Sequence, residues 1–136
     1  MLRLAILGTA LALSACGAAT ATDEAAEAAP AAAVATLSAA EVAELVDTGT
    51  IRLIDVRTDE EVAQGMIPGA EHIALDNFDP AQLDLSDGRE VVLYCRSGRR
   101  SGIAAERLAA ETGKTARHLE GGILSWEEAG YPLTDR

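Results

Sequence analysis

Aromatic side chains are scarce: one Trp, one Phe and two Tyr in 136 residues. That excludes a base-stacking platform, which needs a row of them. Basic residues are also few. Eleven Lys and Arg face 22 Asp and Glu, a formal net charge of −11, where a nucleic-acid binder shows a basic balance. Two isolated His and two distant Cys make no metal-ligand pattern, so no metal and no cofactor are expected. No apolar run approaches the ~20 residues of a spanning helix. The longest, Leu4 to Leu13, is about ten residues. Hydrophobic residues reach 49%, but 28 residues are alanine, which bury little area each.

What is present begins with an address. Met1-Leu2-Arg3 is a short positive start, the apolar run follows, and small residues lead to Cys16. This is the layout of a secretory signal. Leu13-Ser14-Ala15-Cys16 resembles the bacterial lipobox. The resemblance implies loss of residues 1–15, acylation of the Cys16 thiol, and a membrane anchor on the periplasmic face of the cell envelope. Gly17 in place of Asp resembles lipoproteins sent to an outer membrane. Several acyl chains anchor firmly where one is marginal. The alternatives are an ordinary signal peptide with a chance Cys, or a short anchor. The mature chain would carry 10 basic and 22 acidic residues, a charge of −12.

Residues 16–36 read as the lipidated Cys and an Ala-rich tether with one large apolar residue, Val34. Such a stretch cannot bury enough surface to offset its ordering entropy. The alternative is that Val34 to Leu37 forms a first strand. Residues 37–136 read as the folded domain. Ser38 and Glu41 fit a capping box for a helix from Ala39 to Val46, ended by Gly49. Ile51 to Val56 reads as a strand, and Thr58 caps a short helix to Gln64. Glu71 to Leu75 is a short strand and Asp79 to Leu85 a helical turn. Glu90 to Tyr94 has the unbroken apolar character of a buried parallel strand. A helix from Ser101 to Thr112, a strand from Thr115 to Leu119 and a helix from Gly121 to Ala129 complete the domain. The alternation predicts one α/β domain, a central parallel sheet with helices on both faces.

One loop concentrates the chemistry: Cys95-Arg96-Ser97-Gly98-Arg99-Arg100-Ser101, between a buried strand and a helix. Sites in α/β sheets form at the carboxyl ends of strands. Gly98 permits a turn whose N–H groups converge on an anion, and the next helix adds its positive end. Three arginines add charge. All of this favours a thiolate at Cys95, the nucleophilic form. The plainer alternative is a structural Cys beside arginines that only solvate a turn.

Cys95-x-x-Gly98-x-Arg100-Ser101 resembles the active-site loop of the rhodanese domain, the thiosulfate-type sulfurtransferases. The resemblance continues in Leu53-Ile-Asp55-Val-Arg57 with Glu61, in Gly65-Met-Ile-Pro68-Gly69-Ala70, and in Leu119-Glu120-Gly121-Gly122-Ile-Leu-Ser-Trp126 followed by Ala129-Gly130-Tyr131-Pro132. It spans residues 37–136 in the family's order. Met66 and His72 depart from it, standing where the family commonly has His and Asn. The resemblance implies that Cys95 takes the outer sulfur of a small anionic donor such as thiosulfate, becomes a persulfide, and passes the sulfur to cyanide or a thiol. It places the backbone N–H groups of Arg96 to Ser101 around the persulfide. Arg100 fixes the loop or holds the donor, and Arg96 and Arg99 steer it. Asp55 and Arg57 support the site or only shape a turn. Glu120 to Gly122 and Trp126 read as fold determinants, and His72 and His118 as ordinary strand residues rather than bases.

Two other functions compete. Phosphatases and arsenate reductases of related folds reach their Arg after five intervening residues. Here Arg100 comes after four and position 101 is Ser, so the loop is one residue short. A persulfide carrier or docking module on the membrane needs the same Cys95 without turnover. With Cys16 acylated, Cys95 has no resolving partner, which excludes a self-contained dithiol oxidoreductase.

Overall fold

The structure is a computed structural model that describes residues 32–135. The leader, the acylation reading at Cys16 and residues 17–31 lie outside the described residues.

Local chemistry sets the first elements. Ser38 Oγ accepts from Glu41 N–H (3.3 Å) while Ser38 N–H donates to Glu41 Oε2 (2.8 Å), so the box closes on both sides. It opens α1 (Ala39–Thr48), which Gly49 ends in the left-handed region at φ 66°. The strand ahead of it, β1 (Val34–Leu37), pairs with β5 (Ala116–Leu119). The folded unit therefore starts three residues before Leu37, within the stretch read as tether. The outer edge of β5 supplies the partner that a short Ala- and Thr-containing segment cannot find locally.

β2 (Ile51–Asp55) and β4 (Glu90–Tyr94) run side by side along their full length, Ile51 opposite Glu90 and Asp55 opposite Tyr94. Between them come α2 (Asp59–Val62), capped by Thr58, and β3 (Glu71–His72). β3 is shorter than the strand expected to reach Leu75. Its partner β2 ends at Asp55, and the chain turns instead into a 3-10 turn at Leu75–Asn77. A second 3-10 turn, Pro80–Gln82, replaces the helical turn expected to reach Leu85. α3 (Arg99–Thr112) starts two residues before Ser101 because Gly98 caps it, and α4 (Gly122–Glu128) follows β5.

The sheet order is β1-β5-β4-β2-β3 and every pairing is parallel. Alternation along each strand divides the core. Leu53, Val92, Tyr94 and Leu119 pack with Val42, Ile123 and Trp126 on the face covered by α1 and α4. Ile54, Leu93 and Cys95 pack with Ala104, Ala105 and Leu108 on the face covered by α3. The period-two pattern thus sends Tyr94 to one side and Cys95 to the other. Among the described residues no helix is long and apolar enough to cross a membrane.

Candidate active site

Cys95 stands one residue past β4, at the carboxyl end of the sheet, and is 1% exposed. The chain turns at once. Gly98 takes φ 98°, a conformation closed to side-chain-bearing residues at little cost, and its N–H donates to Cys95 Sγ at 3.1 Å. Ser101, in the first turn of α3, places its hydroxyl 3.5 Å from the same sulfur. Burial alone pushes the thiol up. Hydrogen bonds from the Ser101 hydroxyl and from the N–H groups of Ser101, Gly98 and Ser97 more than offset it, so Cys95 sits below the ordinary thiol range. The thiolate is favoured by donors aimed at the sulfur.

The arginines are placed differently from one another. Arg96 and Arg99 are exposed on the loop, and neither forms an ion pair among the described residues. Arg100 turns away and grips Glu61 with both terminal nitrogens at 2.7 Å. This fork-to-fork pair fixes the loop against α2. It also holds the Glu61 carboxyl down at about 2, helped by Thr58 N–H and against the opposing effect of burial.

Beneath that contact lies a buried brace. Asp55 and Arg57 join through Nε and Nη2, the shortest contact being 2.6 Å to Oδ2. Arg57 then donates to the Glu61 carbonyl at 3.2 Å and the Gly65 carbonyl at 2.7 Å. One guanidinium therefore ties the end of β2 to α2 and to the turn that follows. His72 Nε2–H donates to the Arg57 carbonyl at 2.7 Å. Tyr94 lies fully buried on the other side, its hydroxyl accepting from Ile67 N–H at 3.1 Å and its ring 5.8 Å from the Arg57 guanidinium. Burial, then the Asp55 charge, pushes the phenol up, so it stays neutral.

The floor of the loop is the turn into α4. Ile123 N–H donates to the Cys95 carbonyl at 2.8 Å and Leu124 N–H to the Arg96 carbonyl at 3.3 Å. Any Cβ at Gly122 would run into those two backbone carbonyls. Glu120 to Gly122, read from sequence as fold determinants, thus set the height of the loop. Trp126 serves the fold, donating from Nε1 to the Pro132 carbonyl at 2.9 Å and packing on Tyr131. Met66 is buried and its backbone pairs with Thr134.

A groove of 250 Å³ flanks the loop, lined by Arg57, Glu61, Arg96, Ile123, Leu124 and Glu127 among others. A larger depression of 420 Å³ opens at the opposite end of the strands, beside Glu90, Val91, Ala116 and Arg117. Cys95 lines neither, but the smaller lies beside its loop, against Arg96. Chemistry, not size, selects the smaller.

Cys95, Gly98 and Ser101 meet at the sulfur, Ser97 contributes its N–H, and Asp55, Arg57 and Arg100 form the support. Sequence reasoning missed three roles: Glu61 as the partner of Arg100, Tyr94 as the buried wall of the brace, and His118, whose Nδ1 lies 3.1 Å from Ser101 Oγ. The period-two alternation that faces Ala116 toward α3 also faces His118 there, a signal that sequence gives only once α3 is known to cover that face.

A model of the rhodanese-like domain matches residues 38–129. A sulfurtransferase from Allochromatium vinosum is 38% identical over 89 residues, 65% of this chain and 83% of that protein. The human thiosulfate:glutathione sulfurtransferase is 33% identical, over 62% of this chain and 85% of its own. Among solved structures, a rhodanese-related protein from Thermoplasma volcanium superposes with a TM-score of 0.64 at 29% identity, covering 73% of this chain and 96% of its own.

Proposed function

The chain belongs to the rhodanese-like domain family, and from that premise we propose that it is a sulfurtransferase working through a persulfide on Cys95. The observation that carries the reading is the enclosed sulfur held by aimed donors at the head of α3. The thiolate attacks the outer sulfur of a donor such as thiosulfate. The new S–S bond forms as the donor's own S–S bond breaks, and sulfite leaves with the electron pair. A thiol in its thiolate form, or cyanide, then attacks the outer sulfur, and Cys95 thiolate is the leaving group. No external oxidant or reductant is needed. In the persulfide the charge passes to the outer sulfur, about 2 Å beyond Sγ, and the preorganised N–H groups of the loop stand ready to receive it. Arg96 and Arg99, exposed on an acidic protein, draw the anionic donor in. Arg100 and the Asp55–Arg57 brace keep the loop rigid. Cys16 carries the lipid that tethers the domain to the periplasmic side of a membrane.

Intact mass tests the chemistry. The full chain with Cys16→Ser, given thiosulfate, gains one sulfur, cyanide removes it, and Cys95→Ser gains none. No gain on a thiol shown to be free and reactive sinks thiosulfate as donor. A gain without turnover on any small acceptor moves the function to a carrier fed by a protein partner. The anchor is tested on the unaltered chain: an acylated Cys16 in membrane extracts supports it, and a free or absent Cys16 removes it.

A further inference from the structure

The Ser101 hydroxyl is fully buried and has three neighbours but one proton. Cys95 Sγ lies at 3.5 Å, the Gly98 carbonyl at 3.1 Å and His118 Nδ1 at 3.1 Å. The Gly98 carbonyl already accepts from Gly102 N–H at 2.9 Å. That oxygen keeps a second lone pair, so the carbonyl, the sulfur and the imidazole all compete for the proton. If Nδ1 is bare, it is the better neutral acceptor and takes the proton. If Nδ1 carries hydrogen, the ring donates to Ser101 Oγ and holds the hydroxyl in place, and an anionic sulfur outcompetes the neutral Gly98 carbonyl for its proton.

We propose that His118 is a positioning residue: it donates from Nδ1 to Ser101 Oγ and so aims the Ser101 hydroxyl at the Cys95 sulfur. The ring is placed for this by the sheet register. His118 stands opposite Leu93 on β4 and Thr36 on β1, and its side chain lies against α3 at Gly102. A Cβ at Gly102 would stand 3.7 Å from Cε1 and 3.8 Å from Nε2, so the ring fills the space beside a residue without a side chain. Nε2 has no protein partner among the described residues and reaches solvent, which serves either tautomer, so Ser101 is the protein group that bears on the choice. The titratable neighbours are Glu120 beyond the end of its own strand and Cys95 at the end of β4. α3 presents Ser101 and Gly102, and β1 presents Thr36, all uncharged. Burial lowers the His118 pKa, with Glu120 opposing it, so the ring is neutral at pH 7 and the tautomer is what matters. An anionic sulfur strengthens the Ser101 bond and so selects Nδ1–H.

The proposal rests on Cys95 being the working thiol, but its test needs no sulfur donor. In the full chain with Cys16→Ser, Cys95 is the sole thiol, and the pH dependence of its alkylation by iodoacetamide reports thiolate. His118→Leu is expected to move the midpoint up by about one pH unit, about a tenfold loss of thiolate near neutrality, the size of one charge-assisted hydrogen bond. His118→Asn, whose amide N–H can stand in for Nδ1–H, is expected to restore most of it. Nitrogen NMR of the unaltered ring, recorded above the thiol midpoint, is expected to show the Nδ1–H form. An unchanged midpoint in a folded His118→Leu chain overturns the proposal, and so does an Nε2–H ring in the thiolate state. If His118→Leu does not fold, the NMR result decides. A chain that shows the shift but takes no sulfur from thiosulfate removes thiosulfate as donor and leaves this proposal standing.

Discussion

At the carboxyl end of the sheet, Asp55 and Arg57 are 0% and 5% exposed, and their pair is bound into α2 and the loop above. Near the other end, Arg89–Asp87 and Arg117–Glu90 are about two-fifths exposed on every side chain. The two ends use the same residue types at different energies. An exposed pair is worth little and is screened by salt. A buried pair repays its desolvation only when the geometry is good, and losing one partner strands a charge. The costly arrangement stands where a loop must be held in one place, beside the deeper end that carries Cys95. The cheap one stands beside the larger depression, away from Cys95.

Substitutions can break this contrast. Asp55→Ala leaves Arg57 buried without its partner and is expected to cost about 3–5 kcal/mol in urea unfolding. Adding Arg57→Leu to it should recover a large part of that loss, because the stranded charge is gone; no recovery would mean the brace acts through its contacts to α2 instead. Gly122→Ala comes next, at about 2 kcal/mol or more, since φ 62° and the carbonyls of Cys95 and Arg96 both oppose a Cβ. Its alkylation profile should also move, because the loop must lift. Glu61→Gln should cost about 1–2 kcal/mol at pH 7. The folded carboxyl is held at about 2 against an ordinary 4.5, so its contribution is complete above pH 4.5 and is lost as pH falls from there toward 2. The gap between Glu61→Gln and the unaltered chain should therefore close over that window. A gap that stays constant would show that charge is not what Glu61 supplies. Arg89→Ala is the smallest, under about 0.5 kcal/mol, read as a nearly unchanged unfolding midpoint.

Elements whose cause is local were legible before any coordinates. The Ser38 capping box, the Thr58 cap and the apolar run of β4 fall where sequence places them, because a cap and the N–H it binds are three residues apart. β1 was legible only as an alternative, since its partner β5 lies some eighty residues on. The end of β3 was misplaced for the same reason: β2 sets it. At the site, the loop from Cys95 to Ser101 reads directly from its glycine, its arginines and its position after a buried strand. The Arg100–Glu61 contact joins residues 39 apart, and Ser101–His118 joins residues 17 apart. Neither is visible without knowing that α3 lies over β5 or that α2 folds back beside the loop. Sequence leaves Arg100 to the loop or to the donor, and Glu61, not charge alone, decides where it points.

The parallel sheet also fixes which way the domain looks. β1 and β4 run in the same direction, so the chain enters at Val34 on the side where strands begin, while Cys95 sits where they end. A five-residue strand spans about 16 Å. The described chain therefore enters the sheet at the end away from Cys95.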